Sequence, residues 1–382
     1  MLALLVSTAA FSNAWAADGT IKIGISASFS GSFANVGESM KSAVEMAKKE
    51  LESTGGLKVG DKTYAIEPIY VDNGSDRSTA SAYVLNLIGQ KQVLAIVGPM
   101  SSARAIPMGE VANAFKTPMI TPWSTANETT KNRPYVFRVP VMYGIQATAA
   151  TKFMAKEWKA TKVAILYDEV SAYPSGMAKA FKETFEATNG AGSAVAVETF
   201  RTGDTDFSKQ LTTILNSGAE VLYTPQHYEE VPLIVRQARK MGWKKPIYGS
   251  NSWAGGDLMG KCGDSCKGLI FTGNFAPGGV SGVAKTFVEK YQSSYNRLPD
   301  EPAALTYDAM KLLFRAIQNT GGMTGNLVQD RNNVRAQIAA TKGFEGATGS
   351  MSYKGSGDPE KCTVIIKIDD NGVFTNIDKT CP

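Results

Sequence analysis

Ser102, Ser124 and Thr125 are the residues whose types and spacing carry the clearest chemistry in this chain. The apolar run Ala95-Ile96-Val97 stops in Gly98-Pro99-Met100-Ser101-Ser102. A second run, Pro118-Met119-Ile120, stops in Thr121-Pro122-Trp123-Ser124-Thr125. The stretch Ala103 to Phe115 between them reads as a helix. Strand, loop, helix, strand, loop places the two hydroxyl-rich loops side by side at the carboxyl edge of one parallel sheet, where α/β proteins hold ligands. Ser102 then falls in the first helical turn, where unpaired backbone N–H groups favour an anion. The plainer alternative is that Ser102 caps the helix and Thr125 closes a turn. Two such loops at adjacent strand ends favour a pocket for a carboxylate.

Other residues suit the walls of such a pocket. Trp123 lies inside the second loop, and its ring suits an apolar ligand group or, more plainly, packing on the lobe surface. Tyr173 follows the strand Val163 to Asp168. His227, the single histidine, follows the strand Val221 to Thr224, and Asn251 and Trp253 follow Ile247 to Gly249. A lone histidine is ordinarily a packing residue, and no nucleophile motif accompanies this one. The chain contains no GxSxG elbow, SxxK, P-loop, GxGxxG after the first strand or cluster of metal-ligating residues. The reading is a binding protein and not an enzyme, with no cofactor and no metal.

The elements that must position these residues alternate as strand and helix. Ile21 to Ile25 opens the pattern, apolar residues from Val36 to Leu51 recur at helical spacing, and Ile66 to Val71 follows. The alternation restarts after Tyr143 and runs to Leu269–Phe275. Two amphipathic helices then appear, at Val283 to Asn296 and Ala303 to Asn319. They exceed what the second unit needs and imply a return to the first. The expected fold class is α/β, with two doubly wound parallel-sheet lobes joined by a three-strand hinge. One lobe takes residues 17–139 plus 275–345, and the other takes 140–274 plus 346–382. Two lobes on a hinge make a cleft that closes.

The bulk properties agree. The chain has 382 residues, enough for two domains, with 43% apolar and 20% charged residues and a net charge of +5. Its Lys and Arg residues are scattered along the sequence, which argues against nucleic-acid binding. Residues 1–16 read as a secretory signal ending at Ala14-Trp15-Ala16, although the usual basic start is missing. No later run reaches the ~18 apolar residues of a membrane helix. Four cysteines in an exported chain suggest two disulfides. Cys262 and Cys266 would close a small loop, and Cys362 and Cys381 flank a hairpin that turns at Asp370-Asn371-Gly372. A structural zinc site, the rival reading, has one histidine and no CxxC to draw on.

Ile23-Gly24-Ile25 with Phe29-Ser30-Gly31, Ala95 to Ser102, Pro118 to Thr125, Arg236-Gln237-Ala238-Arg239 and Thr306-Tyr307-Asp308-Ala309 together resemble the periplasmic solute-binding proteins of branched-chain amino-acid ABC transporters. The resemblance runs over essentially the whole mature chain. It implies the type I periplasmic-binding-protein fold, export to the periplasm, a monomer, a membrane ABC permease as partner and a small carboxylate-bearing solute as ligand. Ser102, Ser124 and Thr125 match the family's carboxylate-binding positions, and Tyr173 matches its cleft tyrosine. Three positions depart. A first-lobe tyrosine is Val36 here, and a second-lobe tyrosine is His227. The acid that pairs with the ligand ammonium is Asn251, which accepts a hydrogen bond but does not neutralise charge. Glu229 or Glu230 would substitute for it if their loop turns inward. The ligand is therefore expected to be an apolar amino acid or, alternatively, an aromatic carboxylate walled by Trp123, Tyr173, His227 and Trp253. A sensing module docked to a membrane receptor and an exported hydrolase on the same fold are the rival functions.

Overall fold

The computed structural model describes residues 17–74 and 78–382. The expected signal segment, residues 1–16, lies outside the described residues.

The first half of the chain runs β1 (Gly19–Ala27), α1 (Ala34–Ser53), β2 (Leu57–Val59), β3 (Lys62–Asp72), α2 (Ala80–Leu85), β4 (Ala95–Val97), α3 (Ser102–Ala114), β5 (Met119–Thr121) and β6 (Val136–Arg138). These strands form one sheet in the order β2-β3-β1-β4-β5-β6, parallel except for the short edge strand β2. The strands β4, β5 and β6 are buried along their whole length, as expected where helices cover both faces of a parallel sheet.

A second unit follows: α4 (Tyr143–Trp158), β7 (Val163–Asp168), α5 (Ala172–Asn189), β8 (Ala194–Phe200), α6 (Ser208–Asn216), β9 (Val221–Tyr223), α7 (Val231–Lys240), β10 (Ile247–Gly249), α8 (Leu258–Cys262) and β11 (Ile270–Gly273). The chain continues through α9 (Gly282–Tyr295), α10 (Glu301–Gln318) and α11 (Leu327–Ala339). It then passes three short strands, β12 (Phe344–Gly346), β13 (Gly349–Tyr353) and β14 (Pro359–Glu360), to the final hairpin β15 (Thr363–Ile368) and β16 (Phe374–Thr380). The second sheet has the order β16-β15-β11-β10-β9-β7-β8, with β15 and β16 antiparallel to their neighbours. The fold is the expected two-lobed α/β architecture, its sheets mixed at the edges.

The return of the chain is anchored on α1, where Glu50 accepts from Tyr307 on α10 at 2.6 Å and pairs with Lys290 on α9 at 2.8 Å. The helix α11 has no counterpart in the sequence reading. It docks by burying Val334 and Ile338 in the core and by the Arg331 guanidinium donating to the carbonyls of Val93 and Ile88, and these two core residues stand among Gln, Asp, Arg and Asn, which dilute the apolar pattern. Disulfides join Cys262 to Cys266 and Cys362 to Cys381 as the cysteine spacing suggests, the second closing the β15–β16 hairpin.

Candidate functional site

In each sheet the chain first builds to one side of its opening strand and then to the other. The order therefore reverses between β1 and β4 in the first sheet and between β7 and β9 in the second. Loops at the carboxyl ends of strands beside these two reversals face one another. Gly98 makes the first of them possible. Its φ is +118°, and a Cβ there would lie 2.2 Å from the Ser26 carbonyl oxygen.

The facing loops meet around one small, narrow cavity. Met100, Ser101, Ser102 and Trp123 line it from the first sheet, and Tyr173, His227, Asn251 and Ser252 line it from the second. Five residues singled out from the sequence thus share one small space. Ser124 and Thr125 stand directly behind. The Ser124 hydroxyl donates to Ser102 Oγ at 2.9 Å and lies 2.7 Å from Thr129 Oγ1, and the Ala126 N–H reaches Ser102 Oγ at 3.4 Å. Ser102 begins α3, and Ser101, in extended conformation, is its N-cap. Hydroxyls and N–H groups therefore converge on the N-terminus of a helix, an arrangement suited to a carboxylate.

On the opposite wall Tyr173 Oη lies 2.7 Å from both Ser250 Oγ and Asn251 Oδ1, and the Ser252 N–H donates to it at 3.3 Å. His227 is held by Ser252 Oγ at 2.9 Å from Nδ1 and Ser171 Oγ at 3.3 Å from Nε2, with Phe33 edge-on and Tyr173 tilted against its ring. Burial, helped by the nearby Arg104 guanidinium, pushes the His227 pKa down to about 3, so the imidazole is neutral near pH 7. The residues lining the cavity are therefore all uncharged.

Trp253 does not belong to this wall. Its ring is fully buried over Gly249 and against Phe271, where no solute reaches it. Glu229 and Glu230 do not line the cavity either. The first pairs with Lys261 at 3.5 Å, and the second caps α7, with burial raising its pKa to about 7. Val36 is buried in the hydrophobic core.

Three residues of the site are absent from the sequence reading. Tyr143, at the start of α4, places its ring 6.1 Å from that of Tyr173 and donates to the Ala172 carbonyl at 3.3 Å. Burial raises its pKa, with the hydroxyls of Ser102 and Thr125 acting against that rise. Arg138, at the end of β6, is wholly buried and donates to the carbonyls of Ser124 and Ala126 at 3.2 and 2.8 Å while facing Asp358 at 2.6 Å. Glu301, the first residue of α10, is buried beneath Trp123 and Asn251 and accepts from both. All three stand next to Pro or at an element boundary, where periodicity carries no signal.

A family model described as periplasmic binding protein matches residues 20–373. The chain belongs to that family. It is of the branched-chain amino-acid type and is a solute-binding protein, not an enzyme. It is 29% identical to a Leu/Ile/Val-binding protein of Rhizobium johnstonii over 94% of this chain and 93% of that one. Among solved structures, it is similar to the branched-chain amino-acid transporter substrate-binding protein of Streptococcus pneumoniae in complex with isoleucine, with a TM-score of 0.85, 30% identity and coverage of 95% and 100% of the two chains. A solute-binding protein of an R. palustris ABC transporter in complex with benzoate shares the fold, with a TM-score of 0.82, 22% identity and coverage of 95% and 97%. Among the described residues no helix is long and apolar enough to cross a membrane.

Proposed function

We propose that this protein is the periplasmic solute-binding component of an ABC importer, taking an apolar amino acid of the branched-chain type between its lobes and delivering it to the membrane permease. The observation that carries the reading is the convergence of Ser102, Ser124 and the α3 N-terminus on one side of a small cavity whose other side is Tyr173, His227 and Asn251. Ser102, Ser124 and Thr125 hold the ligand carboxylate, Trp123 and Tyr173 wall its apolar part, and His227 and Asn251 read its distal polar group. Residues 17–139 with 275–345 form one lobe and 140–274 with 346–382 the other, the strands β13 and β14 lying back against the first lobe at Arg138 before β15 and β16 join the second sheet. Because the ligand touches both lobes only when they are closed, it shifts the population toward the closed form that a permease selects.

Hydrogen bonds to a charged group contribute about 1.5–3 kcal/mol each. Ser102→Ala combined with Thr125→Ala is therefore expected to weaken leucine binding tenfold or more in calorimetry while the melting temperature of the free protein barely moves. Unchanged affinity would remove the site assignment.

The uncharged lining also favours a second reading, a flat aromatic carboxylate seated among Trp123, Tyr173 and His227. A thermal-shift screen with leucine and benzoate side by side separates the two, since stabilisation by benzoate alone selects the second.

A further inference from the structure

The carboxylate that the site needs for an ammonium group is present, one side chain behind the wall. Glu301 is 1% exposed and its carboxylate receives N–H donors only: Trp123 Nε1 at 3.0 Å, Asn251 Nδ2 at 3.1 Å and Asn274 Nδ2 at 2.9 Å on Oε1, and the Asn274 backbone N–H at 2.6 Å on Oε2. Four converging N–H groups and no facing acceptor favour the ionised carboxylate, against the rise that burial gives its pKa. The same bond fixes the Asn251 amide. Its NH₂ must turn to Glu301, so its carbonyl Oδ1 is the atom left for Tyr173 and the cavity.

Among the described residues the buried charges nearest Glu301 leave a carboxylate in excess. Arg138 faces Asp358 at 2.6 Å. The buried Lys361 donates to Thr348 Oγ1 at 2.5 Å and is attracted by both Asp308 and Glu301, one cation for two carboxylates. The Arg104 guanidinium belongs to α3, the helix that Ser102 opens, and stands over the Phe33 ring. An excess negative charge behind Asn251 is costly to bury unless something cationic completes it.

We infer that Glu301, acting through Asn251, is the specificity-determining group for the ligand ammonium, so that the site selects solutes with a carboxylate at one end and a cationic donor at the other. Asn251 presents a neutral acceptor, and the charge behind it supplies the attraction that a carboxylate at position 251 would supply directly. Glu301 is a positioning residue in this scheme, because it touches Asn251 and not the solute. The inference rests on the amino-acid reading of the site.

The experiment is calorimetric titration of the full chain with leucine and with 4-methylpentanoate, which is leucine without its amino group. Wild-type protein is expected to prefer leucine. Glu301→Gln is expected to lower leucine affinity at least tenfold and 4-methylpentanoate affinity less than threefold. Because this variant also perturbs the donors around it, the double variant N251D/E301Q is measured as well. It moves the charge to the wall and is expected to recover leucine affinity to within threefold of wild type. Equal losses for both ligands, or no recovery in the double variant, would reduce Glu301 to a packing element and overturn the inference alone. Wild-type protein that binds no amino acid overturns the amino-acid reading itself, and the inference with it.

Discussion

His227 shows how the fold gives a residue a property that its type does not announce. Its ring is packed between Phe33 and Tyr173, and both nitrogens are satisfied by serine hydroxyls. The folded protein keeps it neutral down to a pKa of about 3, whereas the unfolded chain takes up a proton near pH 6.5. Between those values the unfolded state binds more protons, so stability rises with pH and is lost as the pH falls below 6.5. The loss from this one group is about 2 kcal/mol between pH 6.5 and 5. His227→Gln is expected to flatten the fall in melting temperature over that interval, and an unchanged slope would show that the imidazole is protonated in the fold. The sequence placed His227 at a strand end facing a cavity but gave no means of knowing its charge state. The residues whose place at the cavity was readable were those in loops closing a strand, namely Ser102, Trp123, Tyr173 and Asn251. Glu301 was not readable, because its partners Trp123, Asn251 and Asn274 are remote in the chain and meet only through the crossing of the lobes.

At the scale of elements, β5, β6 and α3 act together on the site loop. The loop of residues 122–126 leaves β5 with its carbonyls turned inward, and these carbonyls need donors. Arg138 at the end of β6 supplies them to Ser124 and Ala126, also donates to Thr130 Oγ1, and receives its counter-charge from Asp358. The three-stranded sheet β12–β14 lies against this junction, with the Tyr353 hydroxyl donating to the Arg138 carbonyl. Arg138→Met removes one partner of a buried pair and is expected to cost about 3 kcal/mol, measured by denaturant unfolding. It should also weaken solute binding in calorimetry, since Ser124 loses the support that keeps its hydroxyl 2.9 Å from Ser102. Stability loss without loss of affinity would confine Arg138 to the junction. Most of the parallel strands and their helices were legible because strand and helix alternate along the chain; the parallel strand β6 was not. The helix α11 and the strands β12–β14 were not, because the only buried apolar residues of α11, Val334 and Ile338, stand among polar ones, and β12–β14 lie outside the strand–helix alternation.

Across the whole molecule the two halves are in contact around the cavity. The Tyr228 hydroxyl donates to the Ser32 carbonyl at 2.9 Å, Phe33 meets the His227 ring edge-on, and Glu301 bridges Trp123 to Asn251. The closest approach that the sequence itself controls is at Gly255, where an added Cβ would lie 2.4 Å from the tip of the Trp123 indole. Its φ of −105° suits any residue, so a side chain there strains no backbone and acts only on the approach of the halves. Gly255→Ala should therefore leave each half intact while raising the free energy of the closed arrangement. Apparent affinity scales with the populated fraction of the binding-competent form, so a closed form made ten times rarer binds ten times more weakly. The expected result is at least a tenfold weaker leucine affinity in calorimetry, a melting temperature of the free protein within a few degrees of wild type, and a larger radius of gyration in solution scattering at leucine concentrations that compact the wild type. Wild-type affinity in Gly255→Ala would mean that Trp123 swings aside without cost, and that the contact between indole and glycine does not govern closure.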